Sequence, residues 1–316
     1  MGRGAKIFII SFLISAALFG LISFAVLSAL SNLTAPMSDP STLSDGAVVK
    51  APSGTGGKSF NLLVINVDYR PEKYSYDKST VTALFGDTGS VGSSLKRSQI
   101  RMLSAVLVRI DREREEFTFT PISAETVVQT KKGATTLSAA YLSGGISALR
   151  AQVKLLTGIT VDNYALITPS GAERITDSLG GFNYSVVSSI TATDEVEVSS
   201  GNQTLTGKKV RTMMLFENAG GAVTRESVSA ELLKLFFDKL TKKSENDVKE
   251  ILKNTVGIIK TDVSEKMISD VIKLICSYQS FEKKELAVVG RYSGGRFEPD
   301  VEATLDRFSN YRKYYG

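Results

Sequence analysis

Residues 7–30, IFIISFLISAALFGLISFAVLSAL, contain no charged side chain. As a helix rising about 1.5 Å per residue they would reach about 36 Å, enough to cross a hydrocarbon layer of about 30 Å. A cleaved leader is the competing reading, but its apolar region is only about 7 to 15 residues long. Arg3 and Lys6 precede the run, and no further cation follows until Lys50. The positive-inside bias therefore predicts a single-pass cell-membrane protein, with residues 1–6 as a cytoplasmic tip and the rest outside the cytoplasm.

Residues 31–58 are rich in Ser, Thr, Pro and Gly, with few large apolar side chains to offset the entropy of ordering; they read as a flexible extracytoplasmic linker. Beyond it the chain is ordinary globular material, 42% hydrophobic and 22% charged over its 316 residues. The net charge of +5 is interspersed rather than clustered, which argues against a nucleic-acid partner. The absence of histidine removes Ser-His-Asp and Cys-His nucleophile pairs and every His-ligated metal site. The single cysteine, Cys276, follows Met267, Val271, Ile272 and Ile275 at helical spacing and reads as a core thiol.

The folded part alternates between periods. NLLVIN (61–66) is a near-continuous apolar run of the kind found in a strand covered on both faces. Residues 103–111 and 115–123 read as a hairpin joined through Arg112-Glu113-Arg114, and Ile146, Leu149, Val153 and Leu156 recur at helical spacing until Gly158. NYALIT (163–168) is another strand, and Ser170-Gly-Ala-Glu173 fits a capping box opening a helix that stops at Gly180-Gly181. Later helices carry Val228, Leu232, Leu235, Phe236 and Leu240, then the set around Cys276. Residues 286–305 suit a hairpin turning at Gly294-Gly295. The order predicts an α/β fold, a mixed central sheet sandwiched between helices, over residues 59–280, with a C-terminal hairpin or extension over 281–316.

Several stretches together resemble the LytR-CpsA-Psr family of membrane-anchored bacterial envelope proteins. GITVDNYALITPSGAERITDSLGG (158–181) is similar to its strand-helix unit ending in Asp-x-Leu-Gly-Gly. INVDYR (65–70) resembles the strand end Gly-Val-Asp-x-Arg, LSAAYLSGG (137–145) the Asn-Ala-Ala-Tyr helix, and LTGKKV (205–210) the Leu-Asn-Gly-Glu-Gln segment. The resemblance runs in order over about residues 59–275. It implies an activity that composition does not reveal, the transfer of glycopolymers from a polyprenyl-pyrophosphate carrier to peptidoglycan or another envelope acceptor. It further implies an apolar tunnel for the lipid and a pyrophosphate held by arginines with a divalent metal, Mg or Mn. Guanidinium forks suit phosphate oxygens, and a hard cation bridges two phosphates.

Position by position, the match carries over the strand-end carboxylate Asp68, the single metal candidate, and Arg70 after it. The family's Arg-x-Asp-Thr falls on Arg101-Met102-Leu103-Ser104, which keeps the arginine and replaces the metal-side aspartate with Leu103. Its Ile-Pro-Arg-Asp-Thr falls on Ile122 to Thr126, where Ala124 and Glu125 replace the arginine and aspartate. Its Tyr-Val-Arg-Phe-Arg falls on Met213 to Glu217, so Leu215 and Glu217 stand where two arginines are expected. Arg225 matches a third, and Val228 and Ser229 replace the Arg and Gln that follow it. Arg101 and Arg225 are thus the catalytic candidates, and Arg70, Arg101 and Arg225 the substrate-binding ones. Each lost charged hydrogen bond is worth about 1.5 to 3 kcal/mol, and a lost positioned donor about 10² to 10³ in rate. Four or five such losses outweigh ordinary turnover.

The resulting expectation is an envelope-assembly protein that binds a polyprenyl-phosphate lipid, its glycopolymer or an envelope partner, with weak or no transferase activity and no cofactor demanded by the sequence. Peptidoglycan or an intact paralogue completes the expected partners. Two alternatives remain: an active transferase in which Arg70 or Lys208 and Lys209 substitute for the lost cations, and a surface scaffold that keeps only the shell. Gly86 to Gly92 lacks the spacing of a phosphate loop. Ser93-Ser-Leu-Lys96 lacks the partner motifs of a penicillin-type acyl enzyme.

Overall fold

The apolar run NLLVIN forms the middle of strand β1 (Ser59–Asp68), which is buried along almost its whole length. Successive side chains on a strand point to opposite faces. Phe60 and Val64 accordingly enter one core cluster and Leu63, Ile65 and Val67 another, so apolar residues are needed at both phases. The computed structural model describes residues 59–68, 101–131, 133–217, 223–255, 259–263, 272–273, 276 and 280–312. The expected membrane segment 7–30, the linker 31–58, Arg70 and both rejected motifs lie outside these residues. Among the described residues no helix is long and apolar enough to cross a membrane.

Strand β2 (Arg101–Asp111) runs antiparallel to β1 and turns through residues 112–115 into β3 (Glu116–Ser123), as the hairpin pattern predicts. Strand β6 (Asn163–Ile167) lies parallel to β1 on its other side and pairs antiparallel with β9 (Ile259–Thr261). Strand β10 (Glu282–Glu285) closes the opposite edge, parallel to β3. The six-stranded sheet, in the order β10-β3-β2-β1-β6-β9, is therefore mixed. Helix α1 (Leu137–Thr157) covers one face through Leu137, Ala140, Tyr141, Leu149 and Val153. Helices α2 (Pro169–Ser178), α3 (Gly207–Leu215), α4 (Arg225–Thr241) and α5 (Glu245–Thr255) cover the other.

Local chemistry sets the helix ends. Thr136 caps α1 by accepting the Ala139 N–H, and Gly158 ends it at a φ of 73°, donating to the Lys154 carbonyl at 2.7 Å. The start of α2 differs from the capping box read at Ser170. Thr168 is the N-cap, accepting the Gly171 N–H at 3.0 Å, because Pro169 has a φ suited to the first helical position and no N–H to satisfy. Helix α4 carries a capping box, with Thr224 and Ser227 exchanging bonds.

Two of the family-like motifs, 158–181 and 205–210, build one joint between α2 and α3. Asp177 accepts the Gly207 N–H at 2.7 Å, fastening the end of α2 to the start of α3. A Cβ on Gly207 would lie 2.3 Å from the Glu173 carbonyl oxygen, so glycine alone allows this approach. Gly181, at a φ of 76°, leads into β7 (Phe182–Val186), which pairs with β8 (Gly201–Leu205); a Cβ there would lie 2.8 Å from the Leu205 carbonyl oxygen. Two further small sheets are β4 (Val127–Thr130) with β5 (Gly133–Thr136), and the C-terminal hairpin β11 (Gly290–Ser293) with β12 (Arg296–Pro299), turning at Gly294-Gly295. Short helices α6 (Val301–Arg307) and α7 (Ser309–Arg312) follow. Cys276 is half-buried at the margin of the α2 to α5 core, its thiol 3.8 Å from the Lys243 carbonyl.

Candidate functional site

The pairing of β1 with β2 slips by one residue: Asn66 faces Ser104, but Val67 faces Met102 and Asp68 faces Arg101. Leu103 is the extra residue of a bulge. Without it Asp68 would face Met102, and the period-two alternation would send Arg101 to the α1 side of the sheet. The bulge instead puts Asp68 and Arg101 side by side on the face covered by α3 and α4.

Here lies a polar pocket of about 420 Å³, lined by Asp68, Arg101, Leu103, Leu215, Glu217 and the Thr191-Ala192-Thr193 stretch of the β7–β8 connection. Arg101 and Glu217 form an ion pair at 3.7 Å. Arg225 sits behind this group, 7% exposed, donating through Nε to the Phe216 carbonyl at 2.7 Å and through a terminal nitrogen to the Leu103 carbonyl at 3.5 Å. Burial pulls the pKa of its guanidinium down and the like charge of Arg101 adds to this, while Glu217, Glu226 and Asp68 act in the opposite direction. The four pocket charges thus interact although they come from β1, β2, the end of α3 and the start of α4.

Beside it, between the sheet and helices α2 to α4, lies an apolar cavity of about 250 Å³, walled by residues such as Phe60, Leu62, Val64, Val106 and Phe237. Its polar lining includes Asn66, Ser104 and Ser229. The two spaces adjoin along three elements, since Asn66 and Asp68, Ser104 and Leu103, and Met214 and Leu215 line the cavity and the pocket respectively. Asp68, Arg101 and Arg225 therefore gather at the edge of an apolar space. Of the replaced positions, Leu103, Leu215 and Glu217 line the pocket, and Ser229 lines the cavity.

Ala124 and Glu125 lie apart from both. Ala124 is buried in the α1 cluster, and Glu125 sits in a turn closed by the Thr126 N–H on the Ser123 carbonyl at 3.1 Å. The Ser123 hydroxyl accepts the Glu125 N–H at 3.2 Å and also contacts the Tyr292 hydroxyl, which donates to the Glu226 carboxylate. Burial, reinforced by the bond to Glu226, pushes the Tyr292 phenol well above its ordinary pKa. The C-terminal hairpin is thereby seated on the first turn of α4, next to Arg225. Lys208 and Lys209 are on the first turn of α3, about 9 Å along the helix from Leu215, and Lys209 donates to Gln203 at 2.6 Å.

A model of the LytR_cpsA_psr family matches residues 33–298. The chain belongs to the LytR-CpsA-Psr family. This family is involved in attaching glycopolymers to the cell wall. Solved structures agree in fold. TagV of Bacillus subtilis is 17% identical with a TM-score of 0.63, over 82% of this chain and 99% of that one. The Streptococcus agalactiae protein gbs0355 is 18% identical with a TM-score of 0.64, over 81% and 88%. TagT bound to LI-WTA is 18% identical with a TM-score of 0.57, over 82% and 89%. No curated protein sequence matches.

Within this LytR-CpsA-Psr fold, the motif reading located the pocket wall but passed over Asn66, Ser104, Thr191, Thr193 and Tyr292. For Asn66 a signal existed, because it stands at the glycine of the Gly-Val-Asp-x-Arg motif. The threonines and Tyr292 lie in segments without a matching motif. Asp68 and Glu217 are the pocket carboxylates, Arg101 is paired with Glu217, and Leu103 occupies the second metal-side position. Among the described residues no group of three or more acidic, Cys or His side chains is arranged to hold a metal. Among the described residues the pocket thus offers two carboxylates, Glu217 being paired with Arg101, and a hard cation held here would draw its remaining oxygen ligands from water and a ligand's phosphate.

Proposed function

We propose that this LytR-CpsA-Psr protein is anchored in the cell membrane by residues 7–30 with its folded part outside the cytoplasm. There it binds a polyprenyl-phosphate lipid, or the glycopolymer attached to one, with weak or no transferase activity. The carrying observation is the charge balance of the polar pocket beside the apolar cavity. Among the described residues Asp68 and Glu217 oppose Arg101 in its lining, and Arg225 behind the wall is opposed by Glu226 as well, so these groups carry no surplus of positive charge. A diphosphate needs a surplus of donors and positive charge, each charged hydrogen bond being worth about 1.5 to 3 kcal/mol. The apolar cavity offers a place for a lipid chain, and the described residues of the pocket supply no surplus of positive charge for the headgroup of a loaded carrier. TagT, which shares the fold, is seen bound to LI-WTA, and this supports an envelope glycopolymer ligand here.

The test is transfer from a polyprenyl-pyrophosphate-linked glycan to peptidoglycan by the full chain, with Mg²⁺ or Mn²⁺ supplied. The expected rate equals that of an Arg101→Ala, Arg225→Ala double variant. A wild-type rate at least about a hundredfold above the double variant, the size of one positioned donor, would establish the active-transferase alternative.

A further inference from the structure

The cavity keeps two buried side-chain oxygens with lone pairs to spare where it adjoins the pocket. The Ser229 hydroxyl donates its proton to the Arg225 carbonyl at 2.9 Å. Its oxygen lies 2.9 Å from that of Ser104, so the shared hydrogen must come from Ser104. The Asn66 side-chain N–H donates to the Met214 carbonyl at 3.4 Å, which directs Oδ1 the other way. Asn66 is 3% exposed, it lines the apolar cavity, and its Oδ1 has no partner among the described residues. Lone pairs on Asn66 Oδ1 and Ser104 Oγ thus remain at the edge of the cavity. A buried acceptor left without a donor is costly, so this arrangement selects what enters.

We propose that the cavity is selective for a prenyl lipid that ends in an O–H donor, the free alcohol or the singly ionised monophosphate, and that Asn66 Oδ1 receives that hydrogen. A glycan-linked diphosphate, esterified at both ends, carries ionised oxygens and no proton to give to Asn66 Oδ1. The inference rests on the lipid-binding reading above and narrows it to the unloaded carrier. It also gives a role to Asn66 at a motif position where the family has glycine. A glycine would put no acceptor there.

The experiment measures equilibrium binding to the full chain in nanodiscs at pH 5.5, using farnesol, farnesyl methyl ether, farnesyl monophosphate and a farnesyl diphosphate methylated on its terminal phosphate, which like the glycan-linked form has no P–O–H to donate. Farnesol is expected to bind about tenfold more tightly than its methyl ether, which has the same chain but no hydrogen to give. The diphosphate is expected to bind more weakly than whichever of the alcohol and monophosphate binds best, and that ranking tells which of the two is the source of the donor. Asn66→Leu should bring alcohol and ether to equal affinity, and Asn66→Gly should raise diphosphate affinity. Equal binding of alcohol and ether to the wild type, or diphosphate as the tightest ligand, overturns the inference and leaves the lipid reading standing. If no farnesyl compound binds, the lipid reading itself falls and the inference falls with it. The wild-type comparison of alcohol with ether decides the matter even if a variant fails to fold.

Discussion

Glu217→Arg is the sharpest perturbation of the pocket electrostatics. In the wild type Glu217 opposes any anion in the pocket and is paired with Arg101 at 3.7 Å. The substitution reverses one charge and releases Arg101 from its partner. At about 5 Å a unit charge pair is worth about 0.8 kcal/mol in water and about 3 kcal/mol at an effective dielectric constant near 20. The Glu217 side chain is 77% exposed, so the watery limit applies more closely. Removing one repulsion of about 0.8 kcal/mol and adding one attraction of the same size gives about 1.6 kcal/mol, or about fifteenfold tighter binding of a diphosphate. The assay is farnesyl diphosphate binding by the full chain at low and high salt. The gain should shrink as salt rises, because the screening length falls from about 10 Å at 0.1 M to about 3 Å at 1 M. Glu217→Gln, which removes the charge without reversing it, should give roughly half the effect. Tight, salt-sensitive capture by the wild type, or no gain in Glu217→Arg, would refute the argument that the pocket lacks positive charge.

Gly207→Ala should destabilise the fold by about 2 kcal/mol, because backbone rather than a movable side chain blocks the added methyl; denaturant titration reads the change. Phe119→Ala, at a fully buried position packed on Phe237 at 5.7 Å, should cost about 3 to 5 kcal/mol and lower the melting temperature accordingly. Burial opposes ionisation of Glu116, but the bonds from Lys284 and Thr118 prevail and hold its pKa below the ordinary 4.5. Its contribution to stability is therefore present above about pH 4.5 and lost as pH falls through the lower folded value, so Glu116→Gln should flatten the acid limb of a melting-temperature profile. Burial raises the Cys276 pKa, and alkylation at neutral pH should be slower than for a free thiol and speed up as pH rises.

What could be read from the sequence is what the chain encodes locally. The two-faced apolar run of β1, the β2–β3 hairpin and the Gly158 helix stop each depend on neighbouring residues alone. The motifs that carried the family resemblance are of this kind too. Asp177, Gly181 and Gly207 are identifiable because the α2–α3 joint tolerates hardly any other side chain, and that backbone constraint marks a fold rather than a chemistry. The misplaced cap at Ser170 shows the limit even locally, since Thr168 with Pro169 met the same need two residues earlier.

The site depends on relations that sequence spacing does not contain. Whether Arg101 joins Asp68 is decided by a one-residue bulge at Leu103, which becomes visible only once β2 is paired with β1. Ser104 and Ser229 are 125 residues apart, yet share one hydrogen. The family resemblance marked the positions where expected arginines are replaced, and the residues of the sequence include no histidine. Tertiary structure decided that Asp68, Arg101, Glu217 and Arg225 come together and that Asn66 Oδ1 is buried without a partner among the described residues, because charge proximity and hydrogen-bond direction are properties of atoms brought together from separate strands and helices.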